Sequence, residues 1–366
     1  MPAKAYDYAV YIGRFQPPHR GHVALIRQAA ALADCLIVAL GSADAAPSTR
    51  NPFSFGQRQA MIKRLASGLP ATVRCVPIND SAYNLNEWLV TVKNQVQACL
   101  NLDARPNARV ALVGAFKDAS SFYLKHFPEW PLVELAVQGD YNSTAVRRAM
   151  FEEFGQPSAG VDQAAGPATG HLSGRPTDSA RLQSLVEPAI LDYLGGWAGS
   201  AEFAAFSEEY AAVEAYRHQW ANAPYPPVFV TADAVVLCSG HVLLVRRGRQ
   251  PGKGLLAFPG GFLEANESLL QAGLRELVEE TGLDGGLLDG RFKLAQLFDE
   301  PQRDARGRMI TQASLYDLGC RPELPTLRPG DDAAEALWFP LRLVADAGGQ
   351  FFADHHRILR YFLNRP

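Results

Sequence analysis

The strongest constraint on this chain is the run GGFLEANESLLQAGLRELVEETGL, from Gly260 to Leu283. Two glycines open a polar loop, an amphipathic stretch follows, and Gly282 closes it, which reads as loop, helix, loop with a glycine C-cap. Inside the helix Glu276, Glu279 and Glu280 stand at i, i+3 and i+4, so three carboxylates are expected on one face. Such crowding is costly without cations. Oxygen-rich clusters suit Mg²⁺, with Mn²⁺ as the alternative, and either ion can bridge a diphosphate and activate water. The three are therefore the candidate metal ligands. Glu280 is also a candidate general base, with the downstream Glu335 as the competing one. Arg275, four residues before Glu279, is expected to orient that carboxylate, and Glu267 to steady the glycine-rich loop.

A second segment, GRFQPPHRGH from Gly13 to His22, follows an apolar run at 9–12 and leads into a helical pattern at 21–33. A strand-to-helix turn of this kind brings Gly13, Arg14, Phe15 and the first helix amides to where a polyphosphate could meet the backbone. His19 and His22, three residues apart, are expected to turn both imidazoles to the same phosphate as catalytic donors. Further along, Ser143, Thr144 and Arg147 in NSTAVR open a later helix. Two hydroxyls, free amides and a guanidinium then surround an anion.

Between these motifs, apolar strand-like runs alternate with amphipathic helical patterns from residue 9 to residue 154, the signature of a parallel sheet covered on both faces. Ligands are expected at the carboxyl ends of its strands. With 366 residues, 48% of them hydrophobic and 20% charged, the chain fits two ordinary globular domains. We divide it into a first domain at 1–196, a helical linker at 197–224 and a second domain at 225–366. Residues 156–179, rich in Gly, Ala, Pro and Ser, read as a flexible insertion. A net charge of −3 gives no global basic field, so nucleic acid is not an expected partner. No run is long and apolar enough for a membrane span, and no signal-peptide pattern is evident, so a cytoplasmic location is expected. Five scattered cysteines with no CxxC pair suggest neither zinc nor a redox dithiol.

The spacing Gly261, Glu267, Arg275-Glu276-Leu277, Glu279-Glu280, Gly282-Leu283 matches the Nudix box, and GRFQPPHRGH resembles the HxGH turn of the adenylyltransferase superfamily. Together they resemble the bifunctional nicotinamide mononucleotide adenylyltransferase/Nudix hydrolases. The resemblance implies a doubly wound, Rossmann-like α/β domain followed by a Nudix α/β/α sandwich. It also implies adenylyl transfer from ATP to nicotinamide mononucleotide (NMN) and metal-dependent hydrolysis of ADP-ribose. Gly41-Ser42-Ala43, Arg50-Asn51-Pro52-Phe53 and Arg58 are similar to family segments, as are DSAYNLNEW and FKDASSFY. From these, Ser42, Arg50, Asn51, Lys117 and Asp118 are implied nucleotide contacts and Trp88 a stacking partner for the nicotinamide ring. Ser143, Thr144 and Arg147 match the STxxR phosphate motif, and the resemblance implies that Arg147 is catalytic, stabilising charge together with His19 and His22. In the second domain Phe258, Arg303 and Arg306 look like the substrate contacts of ADP-ribose-type members, with Phe258 or Phe298 on adenine. Two alternatives stay open: a Nudix domain that senses ADP-ribose without cleaving it, and hydrolysis of another nucleoside diphosphate derivative. A homo-oligomer is also left open.

Overall fold

The computed structural model describes residues 4–81, 83–115, 119–137, 139–155, 179–330 and 333–364, the side chains of 119–122 excepted. Lys117, Asp118 and nearly all of the 156–179 insertion lie outside the described residues. The chain forms two compact units, 1–208 and 209–366. The division falls inside α7 (Ala201–Gln219), within the segment read as a linker. Among the described residues no helix is long and apolar enough to cross a membrane.

The first unit is built on five parallel strands in the order β3-β2-β1-β4-β5. They are β1 (Tyr6–Gly13), β2 (Ala33–Leu40), β3 (Thr72–Pro77), β4 (Val110–Gly114) and β5 (Leu132–Glu134). The order reverses at β1, where chain direction and strand neighbours place a ligand crevice at the carboxyl ends. Side chains of β1 alternate between two cores. Tyr8, Val10 and Ile12 join Val92 and Val96 of α3 (Leu85–Leu102). Ala9 and Tyr11 join Leu25 and Ile26 of α1 (Arg20–Leu32) and Ile62 of α2 (Phe55–Leu65). Burial on both faces is what the near-continuous apolar strand runs require. The unit is completed by α4 (Ser143–Phe154), α5 (Ala180–Leu185), α6 (Pro188–Ala198) and the start of α7, where Phe203 stacks on Phe151. Between β4 and β5 the helical pattern is met by a 3-10 segment, Ala119–His126, not an α-helix.

The second unit holds a mixed sheet with the path β10-β11-β6-β7-β12. Its strands are β6 (Val228–Cys238), β7 (His241–Arg247), β8 (Leu256–Ala257), β9 (Gly260–Phe262), β10 (Phe292–Phe298), β11 (Arg308–Asp317) and β12 (Ala333–Pro340). The tight turn between β6 and β7 uses Ser239 and Gly240, both at positive φ (46° and 74°), the geometry of a two-residue hairpin. β6 runs parallel to β11. Along its other edge it pairs first with β9, Thr231 opposite Phe262 and Asp233 opposite Gly260, and then with β7. Against this sheet α8 (Leu269–Thr281) packs Leu277 onto Ala234, Val236 and Leu243. It begins at a Ser268/Gln271 capping box and stops at Gly282, whose φ of 60° only glycine adopts freely. The last helix is α9 (His355–Leu363).

Candidate active sites

In the first unit the Gly13–His22 segment forms a compact turn between β1 and α1. His19 is the N-cap of α1, and the two histidines cap each other's backbone. His22 N–H donates to His19 Nδ1 (3.2 Å) and His19 N–H donates to His22 Nδ1 (3.3 Å). Because each Nδ1 accepts, each neutral ring carries its proton on Nε2 and is a donor there. The rings stack at 3.7 Å. Gly21 packs closely beside them: a Cβ there would lie 3.1 Å from the His19 ring, so the ring would have to shift by a few tenths of an ångström. Phe15, at φ 52° and fully buried, backs His22 at 4.6 Å.

The start of α4 is tied to this turn. Ser143 Oγ donates to Pro17 O (3.0 Å), while Arg147 donates to Gln16 O (2.7 Å) and to Thr144 Oγ1 (3.1 Å). Burial lowers the Arg147 pKa to about 10. Arg147 is thus first of all a cross-tie that holds the turn. Around the strand ends Gly41 N–H donates to Gly13 O, and Ser42 N–H and Oγ both reach Asp80. Arg58, buried to 0% exposure, donates to the carbonyls of Arg14 (2.7 Å), Gly41 (2.6 Å) and Ser42 (3.3 Å). Arg14 itself is exposed, and with Arg58 and Arg147 it gives the crevice a positive field. Arg50 is half-buried, and Asn51 has a buried Oδ1 without a partner among the described residues. Such an acceptor costs free energy until a donor arrives. Trp88 is half-buried on α3, edge-on to Tyr123 at 5.5 Å and to Phe127 at 6.1 Å. It therefore also serves the core.

In the second unit a cavity of ≈ 420 Å³ opens beside β6 and β9. Gly260 and Gly261 bring backbone to α8: a Cβ on Gly261 would fall 2.1 Å from Glu276 Oε1, and one on Gly260 2.4 Å from Asp233 Oδ1. Gly260 N–H donates to Glu280 Oε2 (3.0 Å). Glu276 and Glu280 line the cavity. Burial raises the pKa of both, that of Glu280 to about 7, as desolvation disfavours the charged form.

Glu279 departs from the expected trio. It is exposed, absent from the cavity wall, and accepts from Arg275 at 3.1 Å. Among the described residues no three acidic, His or Cys side chains converge closely enough to hold a metal ion. The third carboxylate is instead held on the Arg275 guanidinium. Arg275 does more than orient Glu279. It forms a two-pronged pair with Glu267 (2.7 and 3.0 Å) and reaches Glu276 (2.8 Å). Glu267 in turn accepts from Glu264 N–H (2.9 Å), which closes the loop.

The charged candidates outside the box are each held by another side chain. Arg303, expected on substrate, is buried and doubly bonded to Asp354 (2.9 and 3.1 Å). Arg306 is doubly bonded to Asp304 (2.8 and 3.0 Å) and lies over Phe262 (5.6 Å) and Tyr216 (5.8 Å). Both arginines still line the cavity. Phe258 lines it too, but its ring is buried and stacked on His355 at 5.1 Å. Phe298 is a core residue against Tyr361 and Phe362. Glu335 sits exposed on β12, paired with Arg246 (2.9 Å), and is not part of the wall. The sequence reading missed Asp233, Arg247 and His355. Arg247 lies over the Phe352 ring at 4.1 Å, and its Nε donates to Pro251 O.

Comparison with known proteins agrees with this division. Residues 10–96 match the Cytidylyltransferase-like family and residues 228–362 the NUDIX domain. A nicotinamide/nicotinic acid mononucleotide adenylyltransferase of Acinetobacter baylyi is 40% identical over 149 residues, 40% of this chain and 77% of the relative. An ADP-ribose pyrophosphatase of Methanocaldococcus jannaschii is 33% identical over 135 residues, 37% of this chain and 72% of the relative. A bifunctional NMN adenylyltransferase/ADP ribose pyrophosphatase from Francisella tularensis, solved with AMP and a Mn ion, aligns over 98% of both chains. Its TM-score is 0.82 at 30% identity. The chain belongs to this bifunctional family. Both family signatures sit in the fold the sequence implied: a parallel doubly wound sheet for the first, a mixed Nudix sheet for the second.

Proposed function

We propose that the chain couples two reactions of NAD metabolism in one polypeptide: adenylyl transfer from ATP to NMN, giving NAD and pyrophosphate, and hydrolysis of ADP-ribose to AMP and ribose 5-phosphate. The supporting observation is that one chain, aligned along its length with a bifunctional enzyme, carries the mutually capped His19/His22 turn and the Glu276/Glu280 wall together. A soluble, cytoplasmic enzyme acting on these small molecules is the reading that follows.

For the first reaction an NMN phosphate oxygen attacks the α-phosphorus of ATP, and the bond to the pyrophosphate breaks as the new bond forms. No protein nucleophile is needed. His19 and His22 offer Nε2–H donors, and the α1 amides add a positive terminus, so charge on the phosphates is stabilised in place. Ser143, Thr144 and Arg147 hold the turn in register. The positions of Ser42, Arg50 and Asn51 around the strand ends, with the buried Oδ1 of Asn51 lacking a donor, suit a nucleotide.

For the second reaction Glu276 and Glu280 form a donor set that fits a hard divalent cation: two half-buried carboxyls whose charge is disfavoured until a cation compensates it. Glu279 would join by leaving Arg275. Mg²⁺ or Mn²⁺ bound there supplies neutralisation of the diphosphate and activation of water. Glu280 is placed to accept the proton that water gives up as its oxygen attacks phosphorus and the P–O–P bridge breaks. Arg247 and Arg306 face the same cavity and are suited to the phosphates.

The test uses the full chain with Mg²⁺. His19→Ala should lower adenylyl transfer by at least about 10²-fold and spare hydrolysis, whereas Glu280→Gln should do the reverse. ADP-ribose bound but not cleaved by the wild type would instead make the second unit a sensor.

A further inference from the structure

His355 is the first residue of α9, and nothing in the Nudix box points to it. Its ring is 7% exposed, stacked on Phe258 at 5.1 Å and tilted against Phe352 at 5.8 Å. It lines the cavity. The backbone N–H of Phe258 donates to His355 Nδ1 at 3.0 Å, so Nδ1 must be the unprotonated nitrogen and Nε2 must carry the hydrogen. Among the described residues Nε2 has no hydrogen-bond partner. It is not among the buried polar atoms cut off from solvent space, so this N–H opens on the cavity. Burial keeps the ring neutral, outweighing Asp233 and Asp354. Such a locked, uncharged donor in an aromatic wall has one fixed direction in which to offer its hydrogen bond, into the cavity.

We propose that His355 contacts substrate, its Phe258-locked imidazole presenting Nε2–H to an uncharged acceptor on the non-phosphate part of a nucleoside diphosphate derivative. The choice of an uncharged acceptor follows from the charges nearby. Two guanidinium groups, Arg247 and Arg306, already face the cavity and are the natural partners of phosphate oxygens, whereas a neutral imidazole among carboxylates favours a base nitrogen or a sugar oxygen. This inference rests on the hydrolase reading above.

The test is His355→Asn in the full chain. The asparagine carbonyl reaches the place of Nδ1 and still accepts from Phe258 N–H, but no donor replaces Nε2–H. We expect KM for ADP-ribose to rise roughly three- to tenfold with kcat changed less than about twofold. Inhibition of hydrolysis by AMP or by ribose 5-phosphate should weaken by the same factor, and the one affected tells which half carries the acceptor. Inhibition by inorganic pyrophosphate should not change. Equal weakening for pyrophosphate, or no change in any constant, would overturn the proposal. Unaltered adenylyl transfer in the same sample reports that the chain is folded. A second readout needs no turnover: in ¹⁵N-histidine-labelled wild type, AMP or ribose 5-phosphate should shift the His355 Nε2 resonance, and pyrophosphate should not. If wild type does not cleave ADP-ribose, the hydrolase reading fails, while this spectrum still decides the role of His355.

Discussion

A Cβ on Gly261 would stand 2.1 Å from Glu276 Oε1, so Gly261→Ala must push that carboxylate out of the cavity or the strand off α8. Displacements of this size at a reacting centre cost about 10²-fold in rate. Hydrolysis of ADP-ribose by Gly261→Ala should fall by that factor with adenylyl transfer unchanged, a ratio measurable on one preparation. Arg58 makes the opposite case, a buried cation whose work is structural. Its N–H groups satisfy the carbonyls of Arg14, Gly41 and Ser42, and burial, opposed by Asp80 and aided by the Arg14 charge, lowers its pKa to about 10. Arg58→Met keeps the bulk and strands these acceptors. The first unit should lose about 3 kcal/mol, read from urea unfolding, and an unchanged midpoint would refute the assignment. At this scale the sequence was most informative where spacing along one helix or turn fixes geometry. The His19/His22 pair falls together across the first turn of α1 and Glu276/Glu280 across one turn of α8, as their spacing predicts.

The elements add constraints that spacing does not carry. Asp103, the C-cap of α3, accepts from Arg74 of β3 at 2.7 Å through each of its oxygens and from Tyr8 of β1, joining three elements at the strand ends remote from the crevice. The Arg74 guanidinium, then the Tyr8 hydroxyl, holds its pKa below the ordinary 3.8. A carboxyl depressed by folding contributes stability that is present above its unfolded value and is lost as pH falls through its folded value. Wild type should therefore exceed Arg74→Ala in urea midpoint at neutral pH, with the gap closing as pH falls below about 4. A gap that stayed constant over that window would assign the effect of Arg74 to packing alone. The same limit explains Glu279: its helical position predicted a shared face, but Arg275, bonded in addition to Glu267 eight residues earlier, captures it.

The whole molecule decides what no local pattern could. Arg303 is spent on Asp354, 51 residues away, and His355 faces the cavity only because α9 packs against Phe258. Neither partnership leaves a periodic trace in sequence, so charged and aromatic residues outside the box were legible as candidates but not as roles. Division into two compact units, by contrast, follows from two complete motifs each with its own sheet. Each unit has its own core and its own ligands, so each should respond to its own substrate. A ligand at about 100 times its Kd adds about 2.7 kcal/mol to the state that binds it. For domains of this size that corresponds to roughly 5 to 10 °C in Tm. NMN with a non-reacting ATP analogue should raise the melting of the first unit, followed through Trp88, Trp130 and Trp197 in a Trp220→Phe, Trp338→Phe chain. ADP-ribose, added to the Glu280→Gln chain, should raise only the transition seen by Trp220 and Trp338. If either ligand raised both transitions equally, the units would unfold as one cooperative body, and the two activities would share a single stability.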